Sequence, residues 1–232
     1  MIRRSGAIAV LVSALACATA VAAPITVNVR VEGKKKTLFE GNVKAKVHLV
    51  NSGDGSGPHH CDGTNGGASA APGPTLLGAF DTAVRKAHVK WHGAYSNGFD
   101  DFTIDKVGPD ANDNVNGHYW GQALNYKDTQ VGGCQQKVKK GDQVLIAFDS
   151  FQHPKLELQG SKHATAGKKY RVKVLDGEKG KPYLKGAVVH GKTTDDNGRA
   201  TFVFHKAGTV KLKAKADGAI RSNRLKVRVS AG

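Results

Sequence analysis

Two cysteines, Cys61 and Cys134, are the residues of this sequence best suited to a specific covalent or metal-binding role. Cys61 lies in the segment HHCDGTNGGA beside His59 and His60, where glycine and other small residues leave little side chain to bury. Two thiols can join as a disulfide, and cysteines with histidines can also hold zinc. The set lacks the paired CxxC or HxxxH spacing of structural zinc sites, so a disulfide is favoured if the chain enters an oxidising compartment.

The amino-terminal segment predicts export to such a compartment. Arg3 and Arg4 precede an apolar run over residues 7–16, and small residues follow up to the end of the segment. This is the pattern of a secretory signal peptide over residues 1–23. The apolar run is shorter than the roughly 20 residues of a membrane span. We therefore expect a secreted protein, possible association with the cell envelope, and no membrane span.

Two details of this segment allow other interpretations. The arginine pair suits a twin-arginine signal, and Cys17 suits a lipid-attachment site. Both patterns are incomplete, since Ala14 stands where a lipobox has leucine and the arginines lack their usual apolar follow-up. When Cys17 leaves with the signal peptide, Cys61 and Cys134 remain as an even pair, which favours the disulfide.

Charge divides the rest of the chain into two halves. Residues 24–150 carry 14 Lys and Arg against 13 Asp and Glu, a net charge of +1, whereas residues 151–232 carry 19 against 6, a net charge of +13. A mature chain of roughly 209 residues also suits two domains of about 100 residues each. The sequence therefore predicts a domain boundary at residue 150.

Apolar periodicity predicts an α+β arrangement for the first half. Alternation with period two indicates strands, and one segment that begins at Thr75, a suitable N-cap, has the spacing of an amphipathic helix. The predicted elements are strands at residues 25–31, 37–47, 102–107, 118–126 and 143–148, and a helix at residues 75–88. Residues 51–74 form a long loop with almost no large apolar side chain, which a Cys61–Cys134 bond would hold in place.

Several motifs of this half occur in one order: Thr75-Leu76-Leu77, IDKVG at residues 104–108, Tyr119-Trp120 with Asn125, and VKKGD at residues 138–142. They resemble the transcobalamin C-terminal-like domain, also catalogued as DUF4430, over about residues 25–149. The Cys61 loop and VGGCQQ at residues 131–136 resemble the version found in secreted actinobacterial proteins. The resemblance implies a β-grasp-like domain, a mixed sheet with one helix across it.

The resemblance also implies a ligand-facing surface near Tyr119, Trp120 and Asn125. In transcobalamins this domain closes over a corrinoid from one side and a helical barrel closes from the other. Because no helical barrel precedes residue 25, binding of a corrinoid-like small molecule is the alternative function here and not the favoured one. Trp120 can also serve the core, since it alternates along its strand with Gln122.

Other site chemistries fit the sequence poorly. Asp110, Asn112 and Asn114 take the first, third and fifth places of an EF-hand-type loop, but Val115 stands where that loop needs glycine and Gly121 where it needs glutamate. The sequence contains no GxSxG, HExxH or phosphate-loop motif. We therefore expect a protein that is not an enzyme and that uses neither a metal nor a cofactor.

The second half predicts an all-β domain of short alternating strands. These strands are expected at residues 155–158, 169–175, 186–190, 200–204, 210–216 and 225–229. The segments GAVVHGKTTDDNGRATFVF and AGTVKLKAKADGAIRSNRLKVRV resemble bacterial Ig-like domains over about residues 154–231. The resemblance implies an Ig-like β-sandwich for residues 151–232.

Cations alternate with apolar residues along two of these strands. The expected anion-binding residues are Lys211, Lys213, Lys215, Lys226 and Arg228. An outward face of this kind predicts contact with an anionic polymer of the cell envelope through salt-sensitive attraction. The alternative is that the lysines only keep the strands soluble and unpaired. Nucleic acid is not expected, since the chain is exported and exposed aromatic residues do not alternate with the cations. The sequence does not indicate an oligomeric state.

Overall fold

The computed structural model describes residues 23–68, 71–184 and 186–232. The predicted signal peptide, apart from Ala23, therefore lies outside the described residues. Within them the protein is mostly β, with one helix and several sheets, as the sequence predicts. In these same segments no helix has the length and apolar character needed to cross a membrane.

The strands and the helix follow one another along the described chain. The first half contains β1 (Ile25–Glu32), β2 (Thr37–Ala45), β3 (Leu49–Val50), β4 (His59–His60), α1 (Leu76–Lys86), β5 (Trp91–His92), β6 (Tyr95–Ser96), β7 (Asp101–Phe102), β8 (Lys106–Val107), β9 (Asp110–Ala111), β10 (Trp120–Leu124), β11 (Lys127–Asp128) and β12 (Gln143–Phe148). The second half contains β13 (Leu156–Gly160), β14 (His163–Thr165), β15 (Lys169–Asp176), β16 (Lys181–Pro182), β17 (Val188–Val189), β18 (Lys192–Thr193), β19 (Arg199–Val203), β20 (Gly208–Leu212), β21 (Ala214–Lys215) and β22 (Leu225–Ser230).

The first half is built on a five-stranded mixed sheet of order β11-β10-β12-β1-β2. β1 runs parallel to β12 and antiparallel to β2, so the first and last long strands of this half are neighbours at its centre. Helix α1 packs on one face of the sheet, where Phe80 and Leu77 join Val27 and Val29 in one apolar cluster. The helix begins as predicted, with Thr75 Oγ1 accepting the N–H of Gly78 at 3.2 Å.

The second half contains two larger sheets that contribute to one apolar cluster. In the first, β15 lies between β13 and β19, and in the second, β22 lies between β14 and β20. Tyr170 and Val172 of β15 and Val227 and Val229 of β22 all belong to that cluster. Because side chains alternate along a strand, the intervening residues of β15 and β22 face outward on opposite sides of the cluster.

Two predicted strands are each broken into two. The expected strand at residues 102–107 is β7 followed by β8, which pair with β6 and β5 respectively. The expected strand at residues 210–216 is β20 followed by β21, which belong to different sheets. The second break falls at Lys213, whose ammonium group forms ion pairs with carboxylates of the first half.

The two halves meet across the face of the mixed sheet that α1 leaves uncovered. Ala123, Leu145 and Ala147 of that sheet form a small apolar cluster with Ile220 of the second half. Beside it, Glu32 is 1% exposed and accepts hydrogen bonds from Lys213 Nζ at 2.5 Å and Arg221 Nε at 2.7 Å. We call Glu32, Glu40, Lys213 and Arg221 the junction ion cluster.

Candidate functional site

The predicted disulfide between Cys61 and Cys134 is confirmed. The two residues are 73 positions apart in sequence, their Cα atoms are 4.5 Å apart, and their sulfur atoms are bonded. Both side chains are buried in the core of the first half. The sulfurs are therefore occupied by each other, so the zinc ligand set considered from the sequence loses both of its cysteines.

The predicted ligand residues Tyr119, Trp120 and Asn125 do not lie on one shared surface. Tyr119 is 40% exposed, whereas Trp120 is 6% exposed and packs in the core, where its ring and the ring of Phe148 meet at an interplanar angle of 81°. Asn125 follows the far end of β10, where its side-chain amide donates to Asp142 Oδ1 at 3.0 Å. The alternative role of Trp120 in the core is the one that these contacts support, and corrinoid binding stays a prediction.

Three of the predicted anion-binding residues do form one surface, on the sheet β14-β22-β20. Lys226 and Arg228 lie two residues apart on β22, about 7 Å along the strand, and both are exposed. Lys211 on β20 lies directly opposite Lys226, and Thr209 lies opposite Arg228. We call Lys211, Lys226 and Arg228 the β22 face.

The β22 face places like charges side by side without neutralising them. Directly opposed residues on antiparallel strands have Cβ atoms about 5 Å apart, so the two lysines repel each other. None of the ion pairs between described residues involves a member of this face. β22 is also a central strand, so Lys226 and Arg228 do not serve to block pairing at an exposed sheet edge.

Lys213 and Lys215 lie apart from the β22 face, contrary to the prediction. Lys213 belongs to the junction ion cluster, where its Nζ is 2.5 Å from Glu32 and 2.9 Å from Glu40. Lys215 lies on β21 in another sheet, opposite Val188. The prediction assumed one continuous strand over residues 210–216. Because the strand is broken at Lys213, the Lys213 side chain contacts the first half and Lys215 belongs to another sheet.

Lys215 lines a cleft between the two halves instead. The cleft has a volume of about 630 Å³, and its cations include Lys34 and Lys35 of the first hairpin. Asp149 and Asp217 line it as well. Because cations and carboxylates are mixed along its walls, this cleft selects less strongly for an anion than the β22 face does.

A second cationic surface, which the sequence analysis missed, lies on the sheet that contains β15. Arg171 and Lys173 lie two residues apart on this strand, and Lys173 is directly opposite Arg199 of β19. We call these three residues the β15 face. The signal was present in the sequence, because KKYRVKV at residues 168–174 alternates cations with apolar residues as the predicted lysine strands do. The register that brings Arg199 beside Lys173 is not visible in the sequence.

A buried carboxyl group lies near the disulfide. Asp101 Oδ1 accepts the N–H groups of Phe102 at 2.7 Å and Cys134 at 3.1 Å, whereas Oδ2 has no hydrogen-bond partner among the described residues. Burial raises the pKa of Asp101 to about 6, although the two N–H groups oppose this effect. A cavity of about 510 Å³ adjoins it, lined in part by Phe99 and Val131.

His48 with Asp81 is one of the two His–Asp pairs among the ion pairs of the described residues, and His118 with Asp149 is the other. His48 Nε2 is 3.0 Å from Asp81 Oδ2, and this hydrogen bond raises the pKa of His48. The other ring nitrogen is 3.0 Å from the carbonyl oxygen of Lys46, so neither nitrogen is free to accept a proton from a substrate. Asp81, in the middle of α1, also accepts hydrogen bonds from Arg85 and Trp91, which indicates a structural network that joins α1 to β5.

Comparison with known proteins adds no relative, because no protein-family model matches the chain and no curated protein matches it either.

Proposed function

We propose that the chain is a secreted, non-enzymatic protein of two domains, a β-grasp domain at residues 24–150 and an Ig-like sandwich at residues 151–232. The parallel pairing of β1 with β12, with a hairpin and a helix between them, supports the β-grasp assignment. Two sheets that share one apolar cluster support the sandwich. The DUF4430 resemblance agrees with the first assignment.

In the same proposal, the function of this protein is to bind an anionic polymer of the cell envelope through the Ig-like domain. The observation that carries it is the opposed pair Lys211 and Lys226, extended along the central strand by Arg228 and free of ion pairs with described residues. Opposed like charges lower the stability of a sheet, and a bound anion would remove that cost. A row of charges about 7 Å apart suits a chain of repeated anions better than a single small one.

The attraction in this proposal is electrostatic and therefore depends on salt. The Debye length is about 10 Å at 0.1 M salt and about 3 Å at 1 M salt, so exposed cations lose most of their attraction at high ionic strength. The net charge of +13 on residues 151–232 adds a long-range field of the same sign. Binding is expected at low salt and release at high salt.

The first test replaces the cations of the β22 face with uncharged polar side chains. The variant K211Q/K226Q/R228Q is compared with the natural protein for retention on isolated cell walls in a salt series. Because three exposed ion pairs together contribute about 1.5 kcal/mol, we expect the affinity to fall about tenfold. The matched control K44Q/K106Q/K139Q removes three exposed cations of the first half and should retain nearly full affinity.

Equal retention of the two variants would contradict the proposal, because it would mean that net charge alone decides binding. Retention of the natural protein that persists at 1 M salt would contradict it as well. Melting temperatures of both variants are measured alongside, and the β22-face variant should melt no lower than the natural protein because it loses a repulsive pair.

A further inference from the structure

The β15 face repeats the charge arrangement of the β22 face on the other sheet of the second half. Lys173 is directly opposite Arg199, as Lys211 is opposite Lys226, and Arg171 extends the row along a central strand as Arg228 does. None of the ion pairs between described residues involves the three cations of the β15 face. Both central strands therefore carry unpaired rows of positive charge.

The two faces point away from each other. Val172 of β15 and Val227 of β22 both pack into the apolar cluster between the sheets. Their neighbours Arg171, Lys173, Lys226 and Arg228 alternate with them and so face outward in opposite directions. Packed sheets lie about 10 Å apart, and the side chains add to this separation, so the two rows of charge lie more than one Debye length apart at physiological salt.

This separation decides how many chains the domain can hold. One extended segment of polymer can neutralise the cations of one face, but it cannot reach the other face without turning around the edge of the sandwich. Two faces of similar charge and opposite direction suit two separate segments. Glu157 on β13 lies opposite Leu175, two residues along from the partner of Lys173, and accepts a hydrogen bond from Gln159. None of the ion pairs between described residues joins its carboxylate to a cation of the β15 face.

We propose that the second half bridges two anionic polymer segments, one on the β22 face and one on the β15 face. This inference rests on the proposed function, because it takes the β22 face as the first binding surface. Its consequence is that the protein links envelope polymers and does not merely coat them. When both segments belong to one network, the second contact is intramolecular and gains from a high effective concentration.

The experiment asks whether bound protein can recruit a second polymer. Beads coated with poly(glycerol phosphate) are loaded with the natural protein, washed, and then offered fluorescent poly(glycerol phosphate) at low salt. We expect the loaded beads to capture the fluorescent polymer. The variant R171Q/K173Q/R199Q should still load through the β22 face, but it should capture about tenfold less fluorescent polymer for each bound molecule. The control K44Q/K106Q/K139Q should load and capture like the natural protein.

Two results would overturn the inference while leaving the proposed function intact. One is natural protein that loads onto the beads but captures no fluorescent polymer, and the other is equal capture by the β15-face variant. Failure of the natural protein to load at all would overturn both. Light scattering in solution gives the mass, and therefore the oligomeric state, of the natural protein and of the β15-face variant, because a dimer that uses one face of each subunit would also bridge two polymers. If the β15-face variant is a dimer and still captures the fluorescent polymer, the result counts against the inference.

Discussion

At the scale of single residues, Asp101 has a carboxyl group whose burial disfavours its charged form. It is 7% exposed, and a side chain on Gly132 would collide with its Oδ2 atom. Burial raises its pKa to about 6 from the usual value of about 4. Between these two values the folded protein keeps a proton that the unfolded chain releases. The contribution of Asp101 to stability is therefore complete below pH 4 and is lost as the pH rises through 6.

The substitution Asp101→Asn should remove this pH dependence. Asparagine can still accept the N–H groups of Phe102 and Cys134 through its amide oxygen, but it cannot ionise. A pKa difference of about two units corresponds to about 3 kcal/mol. We expect the variant to gain about that much unfolding free energy relative to the natural protein between pH 4 and pH 7.5, measured by urea denaturation. The exposed control Asp196→Asn should show no such gain, and a constant difference for D101N across this range would refute the assignment.

The sequence predicts single residues well where their environment follows from local alternation. Lys211, Lys226 and Arg228 were expected to face outward because each lies between apolar neighbours, and they are exposed. Lys213 also lies between apolar neighbours, but it is not part of this outward surface. It contacts Glu32 and Glu40, which lie 181 and 173 residues away in the chain. A contact of that range is set by how the two halves meet, which no local pattern records.

At the scale of elements, the disulfide holds the long loop of the first half against the helix. Thr75, the residue that caps α1, donates its hydroxyl hydrogen to the carbonyl oxygen of Cys61 at 3.0 Å, so the loop and the start of the helix are joined at one point. Close to it, Lys137 Nζ donates to the carbonyl oxygen of Ala71 at 2.8 Å. These hydrogen bonds lie beside the covalent bond that joins the segments around Cys61 and Cys134.

We expect the variant C61S/C134S to be cleaved by a broad-specificity protease within residues 51–74 at concentrations that leave the natural protein intact. A disulfide that closes a loop of 73 residues contributes about 4 kcal/mol in the chain-entropy account. The unfolding free energy should fall by that order, and the cleavage sites are read by mass spectrometry. Reductant should produce the same cleavage in the natural protein and have no further effect on the variant. Equal resistance of both proteins would show that the bond does not hold the loop.

Elements with a sustained period were predictable and the short ones were not. β1, β12 and α1 were expected from the sequence and are observed within one or two residues of the expected bounds, because β1 and α1 show a sustained period and β12 is an apolar run buried on both faces. Strands such as β8 and β14 span two or three residues and carry no measurable period. Their positions depend on partners elsewhere in the chain, such as β22 for β14.

At the scale of the whole molecule, the junction ion cluster joins the two halves. Glu32 accepts from both Lys213 and Arg221, and the side chains of these two cations are only 18% and 16% exposed. Lys155, at the junction of the halves, adds a second link, with its Nζ 3.0 Å from Asp128 of the first half. Removing one member of a buried ion pair leaves the others with an uncompensated charge.

The substitution Glu32→Gln should therefore loosen the contact between the halves. We expect a loss of about 3 kcal/mol in unfolding free energy, together with a thermal transition that separates into two steps in calorimetry. The control Lys179→Gln breaks the exposed pair with Asp176, where the lysine side chain is 71% exposed, and should cost under about 1 kcal/mol. A single unshifted transition for E32Q would mean that the apolar contact at Ile220 is sufficient to join the halves.

The junction ion cluster also affects how the protein would be oriented when it is bound at a surface. A linker without contacts would let the first half swing freely once the second half is anchored. Because Glu32 and Glu40 form ion pairs with residues of the second half, anchoring the second half would also fix the orientation of the first half. The two halves would then keep a fixed relative orientation, and the first half would present the same side outward on every anchored molecule.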